Sequence, residues 1–382
     1  MKYTLTRLFT ASFIFLILCG PAGGKIKNEN DRLSEGKSSV TVADFKLSPQ
    51  NSGAFRVEIK GFLENNLFSL SGDIGTLSQI LDPDKPCPVS FVLKIAGSEL
   101  ALEGTIMEPA KFKGVDVTLG LKGENLSMIG RLTHKDVPLK GTFDFTGRLR
   151  DLSEKKFEVS ELRLISGKSL VEGSFGIDLS EPTPRITADL YSPFVDIRRI
   201  LKEKEESSKE VPQEMEDHKD RVFSEKPFNL EWLRAANVEV QLKAKKAVFK
   251  RLAVSNFNAG FRWEDGALIL SPVQANAGGG DLRGRFEIRE SEYGADFYAR
   301  LDIEELDLNQ MQHAMEMESL GEGTLEAGLD LSGHGNSVAE IMASLFGNVS
   351  LIMSEGWIDK DYLKLFDFLG TSLIASITNI IT

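Results

Sequence analysis

Side chains with intrinsic reactivity are few in this chain, and they stand apart. Its four histidines are His134, His218, His313 and His334, and no two have the spacing that brings imidazoles onto one metal. A lone histidine of this kind reads as a surface group or a satisfied core group. There are two cysteines. Cys19 lies in an apolar N-terminal run and Cys87 stands alone, which gives no zinc cluster and makes Cys87 a small buried hydrophobe. Gly278-Gly279-Gly280 would cradle a phosphate if a Lys-Ser/Thr and a helix followed. An alternating strand pattern follows instead, so a hairpin turn is expected. No Ser or Cys sits in a nucleophile-elbow context. The many Asp and Glu residues fall on the polar positions of strands. The expectation is therefore a protein that is not an enzyme, with no cofactor and no metal.

What organises the chain is alternation. Val238, Val240, Leu242 and Ala244 are apolar, with Glu239, Gln241 and Lys243 between them. The pattern recurs at Phe257, Ala259, Phe261 and Trp263, at Ala295 through Ile303, and at Leu325, Ala327, Leu329 and Leu331. Period two puts one set of side chains on each face of a strand, so each segment has one apolar and one wet face. Glu264-Asp265-Gly266, the glycine triplet and Gly333-His334-Gly335 are turn signals between them. Strands joined this way form antiparallel meanders, which tolerate water on one side. The fold class is mainly β: an elongated, twisted antiparallel sheet of repeated strand units forming a groove, with a few short helices.

Composition limits the partners. The chain has 382 residues and a net charge of −12, with 41% hydrophobic and 27% charged residues. Such acidity disfavours nucleic acid and anionic lipid surfaces, both of which are bound through Lys and Arg. Residues 1–24 read as a signal peptide or N-terminal membrane anchor: Lys2 and Arg7 precede an uncharged run, and small residues follow. The run is about a dozen residues against the ~20 that span a bilayer, which favours a cleaved signal. A lipidated Cys19 is a third option. All three readings put the remainder outside the cytoplasm.

Residues 25–39 form a polar tether. A first β-repeat region covers 40–201, a Lys/Glu-dense linker or insertion 202–227, a second β-repeat region 228–357, and an amphipathic C-terminal helix 358–382. Short helices are expected at 77–81, from Val195-Asp196-Ile197, from Leu306-Asp307-Leu308, and after a capping box at Ser337 and Glu340. An internal repeat pairs Val171-Glu172-Gly173-Ser174-Phe175 with Leu282-Arg283-Gly284-Arg285-Phe286, and Leu102-Glu103-Gly104-Thr105-Ile106 is a weaker copy.

These segments, in this order, resemble the AsmA family. The resemblance rests on the runs FNLEWLRAANVEVQLKAKKAVF, ALILSPVQANAGGGDLRGRFEI and GEGTLEAGLDLSGHGNSVAEIMASLFGNVSLIMSEGWI, and covers roughly 68–357. It implies an envelope protein, inner-membrane associated with its body in the periplasm. Its apolar-floored β-groove would carry phospholipid toward the outer membrane, and no catalytic residues transfer. Larger relatives continue beyond the point matching Trp357, so the expectation is not a bridge spanning the whole envelope.

The expected groove lining is Val238, Val240, Leu242, Phe261, Trp263, Leu268, Leu270, Phe286, Phe297, Leu301, Ile303, Leu325, Leu329 and Leu331. Exposing an acyl chain of roughly sixteen carbons costs on the order of 13 kcal/mol, at about 0.8 kcal/mol per methylene, and such a lining would have to offset most of it. Two alternatives stand beside this. The same residues could meet a second sheet and make a dry sandwich core. The protein could also be a periplasmic scaffold or assembly factor that acts on outer-membrane protein biogenesis. The expected partners are phospholipid, the inner membrane and outer-membrane assembly proteins.

Overall fold

A computed structural model of the chain describes residues 40–63, 66–124, 141–196, 224–228, 234–249, 252–292, 294–315 and 321–358. The expected signal or anchor, the tether, Cys19, His134, His218 and the C-terminal helix beyond 358 lie outside these residues, as does most of the charged stretch. The chain divides into two compact units at Gly167/Lys168.

The first unit holds β1 (Val40–Pro49), β2 (Ala54–Leu63), β3 (Asn66–Thr76), β4 (Cys87–Ile95), β5 (Ser98–Glu108), β6 (Lys113–Gly123), β7 (Phe143–Ser153) and β8 (Lys156–Ser166). Each pairs antiparallel with the next, as hairpin-linked alternating segments should. Their apolar residues meet in a closed core that includes Val57, Ile59, Phe68, Leu70, Phe91, Leu93, Ile106 and Val117. Cys87 is fully buried in this core and unpaired, in line with its sequence setting, and burial pushes its thiol pKa up. The helix expected after β3 is α1 (Leu77–Leu81), capped by a reciprocal box in which the Thr76 hydroxyl accepts from the Gln79 amide and the Gln79 side chain accepts from the Thr76 amide.

The second unit holds β9 (Ser169–Asp178), β10 (Arg185–Asp196), β11 (Asn237–Phe249), β12 (Leu252–Glu264), β13 (Ala267–Ala277), β14 (Gly280–Ser291), β15 (Gly294–Asp307), α2 (Leu308–Met315), β16 (Gly321–Gly335), α3 (Val338–Ser344) and β17 (Phe346–Ile358). β9 pairs antiparallel with β10, and β11 to β17 form a seven-strand antiparallel meander. Between them, β10 and β11 run parallel, from Arg185 opposite Asn237 to Asp196 opposite Val248.

That parallel pair departs from the all-antiparallel expectation. Parallel neighbours need a crossover connection in place of a tight turn, and the Lys/Glu-dense stretch lies in that connection. Residues 224–227 are exposed and irregular. The Ala339 amide donates to the Ser224 carbonyl (3.0 Å), the Phe228 amide to the Asn336 carbonyl (2.8 Å), and Arg234 pairs with Glu290 (2.9 Å). The chain thus enters β11 along the strand ends of β16 and β14.

The local details refine these expectations. Val195 and Asp196 belong to β10, and the continuation of that expected helix start from Ile197 lies outside the described residues. At α3 the Ser337 hydroxyl accepts from the Glu340 amide, but the Glu340 carboxylate accepts from the Asn336 amide, one residue ahead of the cap, so the box closes outside the helix. The glycine of the internal repeat is not equivalent in all copies. Gly104 (φ +155°) and Gly173 (φ +150°) have backbones that favour glycine, and a Cβ there would collide with the carbonyls of Asp116 and Asp189 on the paired strand. At Gly284 a Cβ would meet only the Phe286 and Leu301 side chains, at 3.3 and 3.5 Å, and the Arg300 carbonyl at 3.4 Å.

Candidate apolar groove

Register carries the apolar residues of the second unit into rows that run across the strands. One row is Val238, Trp263, Leu268, Ile288 and Phe297, opposite one another in turn from β11 to β15. The next is Val240, Phe261, Leu270, Phe286, Ala299 and Leu331. A third is Leu242, Ala259, Val273, Gly284, Leu301, Leu329 and Val349. A fourth is Ala244, Phe257, Ala275, Leu282, Ile303, Ala327 and Leu351. Leu325, between Leu306 and Met353, continues the same face. The rows survive because β13 carries one extra residue between Leu270 and Val273, three steps against two on both neighbouring strands, and this bulge returns Val273 to the face of Leu270.

All the sequence-expected lining residues fall on this face. They do not share it alone. Ile288, Val273, Leu282, Val349, Leu351 and Met353 stand in the same rows, and β10 extends three of them in parallel register with Ile186, Ala188 and Leu190. The signal for them was present. Ile288 follows Phe286 by two positions, and Val349, Leu351 and Met353 alternate with polar neighbours.

Exposure separates a trough from a sandwich. Leu331 is buried at 8%, and every other sequence-expected lining residue is partly exposed. A second sheet packed on this face would bury them as the first unit's core residues are buried, and a flat face in water would leave them bare. The face is walled at both strand ends. At one end a small buried cluster of Val195, Ala244, Ala247, Val254 and Ala277 closes it, beside Leu306, Leu308 and α2. At the other end Ile341 and Leu345, from α3 and its C-cap, sit over Gly333. Between the walls, β11 to β17 span six inter-strand spacings, about 29 Å.

Across β14 and β15 the opposite face is polar and ion-paired. Arg283 reaches Glu304 (3.4 Å) and Arg300 reaches Asp302 (3.1 Å). Arg285 and Arg289 both hydrogen-bond Glu287 (2.9 and 2.6 Å), and these bonds hold its carboxyl below the usual glutamate range. Among the described residues, no group of three or more His, Cys, Asp or Glu side chains is placed to hold a metal ion. Also among them, no helix is long and apolar enough to cross a membrane.

The second unit thus presents an apolar, partly exposed face on its sheet, flanked by short helices at the strand ends and backed by ion pairs. The chain belongs to the AsmA family, whose model matches residues 37–367. It is similar to the AsmA family protein YhjG of Escherichia coli (strain K12), with 21% identity over 346 residues that cover 86% of this chain and 50% of that protein. The chain therefore spans half the length of that relative. No solved structure matches it. Family membership supports an envelope protein of the AsmA type.

Proposed function

We propose that this is a non-enzymatic, periplasmic, inner-membrane-associated protein that holds phospholipid acyl chains in the trough and contributes to lipid traffic and outer-membrane homeostasis. The observation that carries the reading is the register: four apolar rows cross successive strands without a charged residue entering them. A hydrocarbon lying along the rows meets side chains from a new strand every ~4.8 Å, so it can move along them without leaving apolar contact. The charged back face would remain in water while the trough is filled.

Native mass spectrometry of the protein extracted from membranes tests this. The expected result is co-purifying phospholipid that is lost in Trp263→Glu, while the far-ultraviolet β signature is unchanged. A wild-type protein carrying no lipid would overturn the proposal. So would crosslinks confined to outer-membrane assembly proteins, together with unaltered lipid distribution in a deletion strain. That outcome would favour the scaffold role.

A further inference from the structure

On the side away from the trough, β14 to β17 carry an open recess of about 410 Å³. Two cross-strand rows line it. Glu287, Tyr298, Ser332 and Phe346 stand opposite one another in turn, and the next row is Arg289, Asp296 and His334. Tyr298 and Phe346 are separated by one strand, and the residue that strand places between them is a serine. The result is a slot with an aromatic wall on each side and a short hydroxyl side chain at its floor. Its walls rise from positions two strand spacings apart, about 9.6 Å. Phe346 is 60% exposed, so its ring is available to a guest.

The polar groups at the rim are held in place. Glu287 accepts one hydrogen bond on each carboxylate oxygen, from Arg285 (2.9 Å) and Arg289 (2.6 Å), and an ionised carboxylate has lone pairs for more. The backbone of His334 is pinned by Ser344, whose hydroxyl accepts from the His334 amide (2.7 Å) and lies 2.5 Å from its carbonyl oxygen.

We infer that this recess binds one ring of an uncharged saccharide. A sugar ring has apolar C–H faces and a rim of hydroxyls. The faces suit the two aromatic walls. The hydroxyls suit two carboxylates, a guanidinium and an imidazole, which between them supply acceptors and donors. Width points the same way. A flat aromatic guest stacked between two rings fills only about 7–8 Å, at 3.5–4.0 Å per contact, and the slot leaves the further room that a puckered ring with axial substituents requires. Charge narrows the choice again. A phosphate or a uronate would face Glu287 and Asp296, an ammonium would face Arg289, and an acyl chain would strip water from all three. The inference does not rest on what the trough carries, because the recess lies on the other face of the sheet.

An array of immobilised hexose, N-acetylhexosamine and uronate oligomers, probed with the full chain, tests this, followed by titration calorimetry with the oligomer bound best. Hexose or N-acetylhexosamine oligomers are expected to bind, and uronate oligomers are not. Phe346→Ala removes one wall and Ser332→Phe fills the slot. Each is expected to weaken binding about tenfold or more, with unchanged circular dichroism. Ile352→Ala removes another exposed apolar side chain of β17, outside the recess, and is expected to leave the affinity as it was.

An array on which no uncharged oligomer is bound would overturn the inference. So would a preference for uronates, or binding that both Phe346→Ala and Ser332→Phe leave intact, since the contact would then lie elsewhere. Displacement of the bound oligomer by tetramethylammonium would equally overturn it, because the aromatic and acidic groups would then serve a cation.

Discussion

If the trough is open, shortening a residue in its floor and shortening one beneath its wall should have different costs. Leu301 lies in the middle of the third row and is partly exposed, with Gly284 and Leu329 opposite it. Leu306, five residues along the same strand, is 5% exposed and closed in beside α2. Leu306→Ala removes buried side-chain atoms and leaves a void, so it should cost about 3 kcal/mol. Leu301→Ala removes a side chain that is only partly out of water and leaves no closed cavity. Half of a leucine's transfer free energy is about 1 kcal/mol. Urea denaturation of delipidated protein, followed by circular dichroism, gives both values. The difference of about 2 kcal/mol should narrow when phospholipid is present, because a bound acyl chain makes Leu301 a buried contact and leaves Leu306 unaffected. Equal costs in the delipidated protein would mean that the floor is packed by the protein's own side chains. The trough reading would then fail.

Two further outcomes follow from local geometry. Gly173→Ala should destabilise by more than about 2 kcal/mol, since φ and the Asp189 carbonyl both forbid a Cβ, whereas Gly284→Ala should cost less than about 1 kcal/mol; thermal melts of the two variants check this. Glu287 is held below its ordinary pKa by Arg285 and Arg289, so its stabilisation is complete above the unfolded glutamate range of about 4.3 and is lost as pH falls through the lower folded value. Glu287→Gln should cost about 1 kcal/mol at neutral pH and flatten the acid limb of a stability–pH curve, while an unchanged acid limb would show that the arginine pair contributes nothing.

Much of this fold was legible because alternation is a strong local signal. Period two at 238–244, 257–263, 295–303 and 325–331 named both the strands and the face they share, and the turn at Gly278-Gly279 has the positive φ values its sequence demands. The helix from Leu308 was signalled by the spacing of Leu306 and Leu308, and the structure adds a cap at Asp307, whose carboxylate accepts from the Gln310 amide. Two things were not legible. Nothing in a strand's own residues says whether its neighbour runs parallel, so the β10–β11 step emerged only from the register. Partial exposure was equally hidden. Phe261 and Phe68 look alike in sequence, yet Phe68 is in a closed core and Phe261 faces a trough, because that depends on whether another layer covers the face. The repeat glycines show a third limit, since Gly104 and Gly173 serve the backbone and Gly284 only leaves room beside aromatic and aliphatic side chains.

The parallel step between β10 and β11 also bears on how such a molecule can change length. Every hairpin added to a meander lengthens the trough by two strand spacings, about 9.6 Å, without altering its cross-section. A crossover is under no such constraint, because its residues lie outside the ladder and can be many or few while Arg185 stays opposite Asn237. Span is thus counted in whole hairpins, and the junction is where sequence can be gained or lost without disturbing the count.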